Sequence, residues 1–106
     1  MNLQKMMKQA QEVQQKIADL QVKLEEEETE GDAGGGMIVV RLNGKGMMKK
    51  IHIDTKLIDA NEKEMLEDLI IAAFNDAKTK VEASYTEQMA KIASSLGLPA
   101  GMKMPF

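Results

Sequence analysis

The chain has no cysteine and no tryptophan, one histidine, two prolines and only three aromatic residues, Phe74, Tyr85 and Phe106. Without cysteine there is no disulfide framework, no thiolate metal site and no thiol nucleophile, which fits a reducing compartment. So few rings disfavour the stacking platforms that hold unpaired bases. No run of about 18 apolar residues occurs, and the opening MNLQKMMKQAQ is polar within two turns. Neither a membrane span nor a signal peptide is expected, and the chain reads as cytosolic. Catalysis lacks its inventory as well. There is a single His52, and no serine or threonine stands in a nucleophile-elbow context, so no enzyme, no cofactor and no small-molecule substrate is expected.

What is present is one small domain's worth of chain, 106 residues with 43% hydrophobic and 29% charged residues, the balance of an ordered globular protein. Methionine is abundant at 10 residues, so the apolar surface is flexible and aliphatic. The formal net charge of −3 hides alternating blocks: residues 1–24 carry +2, 25–36 carry −6, 37–56 carry +4, 57–77 carry −5 and 78–106 carry +2. Both ends are therefore basic around an acidic body.

Leu3, Met6, Ala10, Val13, Ile17, Leu20 and Leu24 alternate spacings of three and four, a heptad seam that predicts a first helix over residues 1–24 and asks for another helix against it. The acidic run Glu25–Glu30 either extends that helix or forms a short edge strand around Thr29. GDAGGG then turns the chain, and MIVVRLNGKGMMKKIHID reads as a hairpin with Asn43-Gly44 turn chemistry, giving a small sheet within residues 25–54. Alternation places Ile38, Val40, Leu42, Ile51 and Ile53 on a core face, and Met37, Val39, Arg41, Met48, Lys50 and His52 on a mixed one. Met37, Val39 and Met48 make that mixed face a candidate dimer interface.

A second helix is expected over 60–96, capped by Asn61 with Glu64 or by Asp59 with Glu62 and stopped by Gly97 and Pro99. A helix of this length is roughly 54 Å long. A globule of this size has a radius of gyration near 13 Å, so part of the rod must project or pair with another chain. The first half, MLEDLIIAAF, is apolar around much of its circumference and reads as core; beyond Ala77 a narrow stripe reads as an arm. Residues 97–106, GLPAGMKMPF, form an apolar tail with no helical period, which suggests docking.

Several features carry bland explanations. The Gly34-Gly35-Gly36 triplet precedes a strand rather than a helix and lacks the following Lys-Ser/Thr of a phosphate loop. His52 has no second ligand near it in sequence, and Glu25–Glu28 reads as a solvated run, so no metal site is expected. Lysines on helices are usually solvent-facing. Lys5, Lys8 and Lys16 on the first helix and Lys78, Lys80 and Lys91 on the second stand out because both segments are expected to project, which makes them candidate contacts for a polyanion.

Four stretches together resemble the YbaB/EbfC nucleoid-associated proteins of bacteria: MMKQAQEVQQKI, VRLNGKGMMKKIHID, MLEDLIIAAFNDA and the ending LPAGMKMPF. The resemblance implies an α+β fold of a long helix, a small antiparallel sheet and a long C-terminal helix. It also implies a homodimer whose helices stand out like tweezers and bind double-stranded DNA in the cytoplasm, at the nucleoid. The chain departs from the family pattern at Thr55, where a proline is frequent, and at Lys78 and Lys80, which Thr79 separates. On this reading lysines of the projecting helices neutralise phosphates and release counterions, while the acidic blocks keep the body off the duplex. The alternative is a prefoldin-like holdase, which also joins two long terminal helices by hairpins and expects them to pair along their full length.

Overall fold

In the computed structural model, which describes residues 2–95 and Gly97, the heptad segment is one helix, α1 (Leu3–Glu26). Asn2 caps it, its side chain accepting the Gln4 backbone N–H at 3.0 Å, so one of the orphan donors of the first turn is satisfied. The helix stops where Glu27 turns extended, with its N–H donated to the Lys23 carbonyl at 3.0 Å.

Three antiparallel strands come next, in the order β1 (Thr29–Ala33), β2 (Ile38–Leu42), β3 (Met48–Ile53). Both alternatives for the acidic run are thus realised in part, as Glu25 and Glu26 finish α1 and Thr29 opens an edge strand. The β1–β2 turn is built from Gly34, Gly35 and Gly36, all at positive φ, where a Cβ costs energy. After two short 3-10 turns, Thr55–Leu57 and Ala60–Glu62, the chain enters α2 (Lys63–Ser95). Asp59 caps the second of these turns, accepting the Asn61 N–H at 3.0 Å, so Asp59 rather than Asn61 provides the cap.

The core lies between α2 and the sheet. Ile38, Val40 and Leu42 from β2 are fully buried with Leu57, Ala73, Ala77 and Val81. Small residues matter on the helix side: a Cβ on Gly31 of β1 would fall on the backbone of α2 at Ala73 and Ala77, 2.7 Å from the Ala77 Cα. A bare backbone at Gly31 against two alanines lets strand and helix touch. Burial continues through Val81, so the expected arm of α2 begins beyond that residue and not at Ala77.

The hairpin differs from a two-residue turn. Asn43 is only 2% exposed, and its side chain accepts the backbone N–H groups of Lys45 (2.9 Å) and Met47 (3.0 Å), organising a longer loop. Gly44 donates its N–H to the Leu24 carbonyl at 2.7 Å, and a Cβ there would lie 2.6 Å from a Leu24 methyl. The loop is therefore clamped to the end of α1. A bulge at its far side shifts the register, so Arg41 pairs with Lys50 but Leu42 pairs with Met48. Met48 consequently joins the row of Leu42, a correction to strict alternation, which puts it beside Lys50 and His52.

α2 lies across β1 and β2. The same face of β3 is uncovered, leaving Met48 42% and Ile51 39% exposed although Ile51 pairs with the buried Val40. The molecule measures 69 × 23 × 17 Å with a radius of gyration of 19.3 Å, far from the roughly 13 Å of a compact chain of this size.

Candidate nucleic-acid interface

α1 and α2 run antiparallel and meet only over their C-terminal parts. Leu24 and Leu20 of the seam are buried, Leu24 near Val81 and Tyr85 and Leu20 near Gln88 and Ile92. Gln88 reaches the helix end, its Nε2 donating to Glu27 Oε2 at 3.3 Å. The contact ends where Lys16 Nζ donates to Ser95 Oγ at 2.6 Å. Every residue from Asn2 to Glu12 is exposed, so the N-terminal half of α1 projects beyond α2, and its seam residues Leu3 and Met6 are 70% and 46% exposed.

Two groups of the expected lysines occupy this end. Lys5 and Lys8 lie on the projecting half of α1, and among the described residues neither is in an ion pair. Where the helices part, Lys16 and Lys91 line one groove of about 300 Å³ together with Lys23, Asp19, Leu20, Gln88 and Ile92. Lys91 lies 3.4 Å from Glu87 and Lys23 3.7 Å from Glu27, exposed pairs that hold little energy and yield readily to another anion. Lys23 escapes attention in the sequence because its heptad position is unremarkable until α2 is placed beside it.

Lys78 and Lys80 are placed elsewhere. Lys80 Nζ donates to the Glu30 carbonyl at 3.1 Å and lies 3.2 Å from Asp76, so it lies along the β1 edge. Lys78 packs against Gly46 and lines a groove with Lys45, Leu24 and Tyr85. The structure therefore brings Lys5, Lys8, Lys16 and Lys91 to one end of the rod and leaves Lys78 and Lys80 beside the sheet. Lys45 bonds Glu25 at 2.9 Å, and that hydrogen bond, with the lysine's charge, holds the Glu25 carboxyl below its usual pKa.

The outer face of the sheet carries a row of Glu30, Arg41 and Lys50, with Arg41 Nε donating to Glu30 at 2.6 Å and its Nη1 3.8 Å from Glu28. Val39 is half-buried on this face opposite His52. Met37 packs against the core cluster, while its carbonyl accepts the Asp54 N–H at 2.8 Å. Of the three residues expected at a dimer interface, Met48 is the most open. The apolar tail after Gly97 lies outside the described residues. No helix among the described residues is long and apolar enough to cross a membrane, and no cluster of metal-ligating side chains occurs among them.

The same architecture is found in the crystal structure of an uncharacterized Helicobacter pylori protein, HP0035, at TM-score 0.78 with 23% identity, over 87% of this chain and 97% of that one. In sequence the chain is 56% identical over 105 residues to a nucleoid-associated protein of Granulibacter bethesdensis, covering 99% of this chain and 98% of the relative. A nucleoid-associated protein of Rhodospirillum centenum is 51% identical over the same length. The profile of the YbaB/EbfC DNA-binding family matches residues 1–96, and with these relatives and this fold the chain belongs to that family.

Proposed function

We propose that the protein is a non-enzymatic, nucleoid-associated factor of the bacterial cytoplasm that binds double-stranded DNA as a homodimer. The observation that carries this reading is the placing of Lys5, Lys8, Lys16 and Lys91 toward the projecting end of an otherwise acidic molecule. Cations held apart from the acidic body meet phosphates without pressing Glu25–Glu30 against them. The relatives' description as nucleoid-associated proteins supports the same partner and location. Lys78 and Lys80, beside the sheet, make a second and weaker set of contacts flanking the groove.

The uncovered inner face of β3 supports a dimer. Met48 and Ile51 lie in the rows of Leu42 and Val40, yet α2 does not cover them; a second copy seated on that face would bury both, Met48 being the one of Met37, Val39 and Met48 that lies on it. Two rods joined there present their basic ends as a pair of arms around a duplex. The partial pairing of α1 with α2 favours this reading over a holdase, which needs the two helices paired throughout.

The test is a duplex mobility shift across a salt series beside light scattering of the free protein. Affinity should fall with log salt by roughly 0.9 per phosphate neutralised, and the mass should be twice 11.7 kDa. An affinity indifferent to salt defeats the electrostatic grip, and a folded monomer at micromolar concentration defeats the dimer.

A further inference from the structure

Where α1 and α2 part, the last residue of α2 holds a lysine of α1. Lys16 Nζ donates to Ser95 Oγ at 2.6 Å, and Ser95 Oγ donates its own proton to the Ile92 carbonyl at 2.8 Å. The hydroxyl proton is thereby committed back along α2, which leaves the oxygen to accept. α2 ends at Ser95, where the negative end of the helix dipole favours an ammonium. Lys91 lies one helical turn before Ser95 and so shares its face, and Lys16 and Lys91 line one groove.

We propose that Ser95 is a positioning residue for the DNA contact: by accepting from Lys16 it sets that ammonium beside Lys91, so that both meet the same stretch of phosphates. The inference rests on the DNA-binding reading above. The kind of oxygen that holds each lysine carries it. Lys91, Lys23 and Lys80 lie against the carboxylates of Glu87, Glu27 and Asp76, and a carboxylate must give way before a phosphate takes its place. Ser95 is neutral and takes a single hydrogen bond from an ammonium that has others to give. Lys16 therefore keeps its charge and its remaining donors for a phosphate. Its long stem is already ordered, so less rotamer freedom is lost on binding than by a lysine that swings free. Asp19, the acid that lines the same groove, accepts from Gln15 Nε2 at 2.9 Å.

The experiment is a double-mutant cycle on duplex affinity across a salt series. Ser95→Ala should weaken binding about fivefold with the log-salt slope unchanged, because no phosphate contact is removed. Lys16→Gln should weaken it at least as much and reduce the slope by roughly 0.9. In the Lys16→Gln background Ser95→Ala should add nothing. Ser95→Thr keeps a hydroxyl that can bond the carbonyl one turn back, and should bind as the parent does. Reductive methylation, read by mass spectrometry, tests the hold without DNA: Lys16 should be modified about threefold faster in Ser95→Ala than in the parent, with Lys8 unchanged. A changed slope in Ser95→Ala, an undiminished effect of that substitution without Lys16, or equal methylation of Lys16 overturns the proposal. A parent that binds no duplex overturns the DNA reading and this role with it, whereas parent binding that is indifferent to Ser95→Ala overturns this role alone.

Discussion

The backbone N–H of Asp32 donates to the carboxylate of Asp76 at 3.0 Å, joining the edge strand β1 to α2 through two acidic residues. Lys80 makes this arrangement favourable. Its ammonium lies 3.2 Å from the same Oδ2, so the carboxylate is held by a backbone donor and a cation. The Asp32 bond and then Lys80 keep the Asp76 pKa below its ordinary value of 3.8.

That depression fixes the sign of a pH effect. A carboxyl whose pKa is lower in the folded state binds fewer protons there, so its contribution is complete above 3.8 and is lost as pH falls through the folded value. Asp76→Asn keeps an acceptor for the Asp32 N–H but removes the charge. Urea unfolding should find the variant less stable than the parent at pH 7, with the gap closing below about pH 4. A gap that persists at low pH would show that the charge is not what matters.

Gly31 and Gly35 separate two reasons for glycine. Gly31→Ala puts a methyl into the backbone of α2 at Ala73 and Ala77, which neither element can yield without moving apart, so thermal unfolding should show a loss of about 3 kcal/mol. Gly35 has open space around it but a φ of +67°, so Gly35→Ala should cost only about 1 kcal/mol. Similar losses at both positions would mean that the strand and helix tolerate separation.

Asn43 predicts a local failure with a distant consequence. Asn43→Ala leaves the N–H groups of Lys45 and Met47 without their acceptor, an expected loss of about 2 kcal/mol. Because Gly44 of the same loop holds the Leu24 carbonyl, the end of α1 should exchange its amides faster in this variant. Asn43→Asp, which keeps the acceptor oxygen, should recover most of the protection. If the α1 amides do not respond, the loop does not clamp the helix.

Much of the fold is legible in the sequence because it is periodic. The seam, the alternation of Ile38, Val40 and Leu42, and the apolar run into Phe74 each announce their element. β1 is harder to read: TEGDA has little strand propensity and is held by Gly31 lying on α2, a tertiary contact that no local pattern encodes. The bulge that turns Met48 toward Leu42 is likewise invisible to strict alternation. Among the lysines, sequence position separates the basic blocks from the acidic ones, but only the antiparallel placement of the helices brings Lys16, Lys23 and Lys91 together. The same placement sends Lys78 and Lys80 to the sheet, since Val81 is still core.

The lysines therefore rank by geometry, and charge reversal should follow that rank. Lys5→Glu with Lys8→Glu alters two exposed side chains off the seam and without ion-pair partners among the described residues. Helicity should therefore be unchanged while DNA affinity drops at least tenfold, the log-salt slope shrinking by roughly 0.9 for each phosphate contact removed. Lys16→Glu with Lys91→Glu should do the same and also release Ser95 from Lys16, loosening the end of α2. Lys80→Glu differs, because it sets another acid beside Asp76 and the Glu30 carbonyl; its loss of binding should be accompanied by a lower melting temperature, and Lys80→Gln separates the two effects. Lys49 and Lys50 on β3 are the control, being exposed but distant from the projecting end. If their reversal abolishes binding while the Lys5 and Lys8 pair is neutral, DNA contacts the sheet, and the arms serve some other contact.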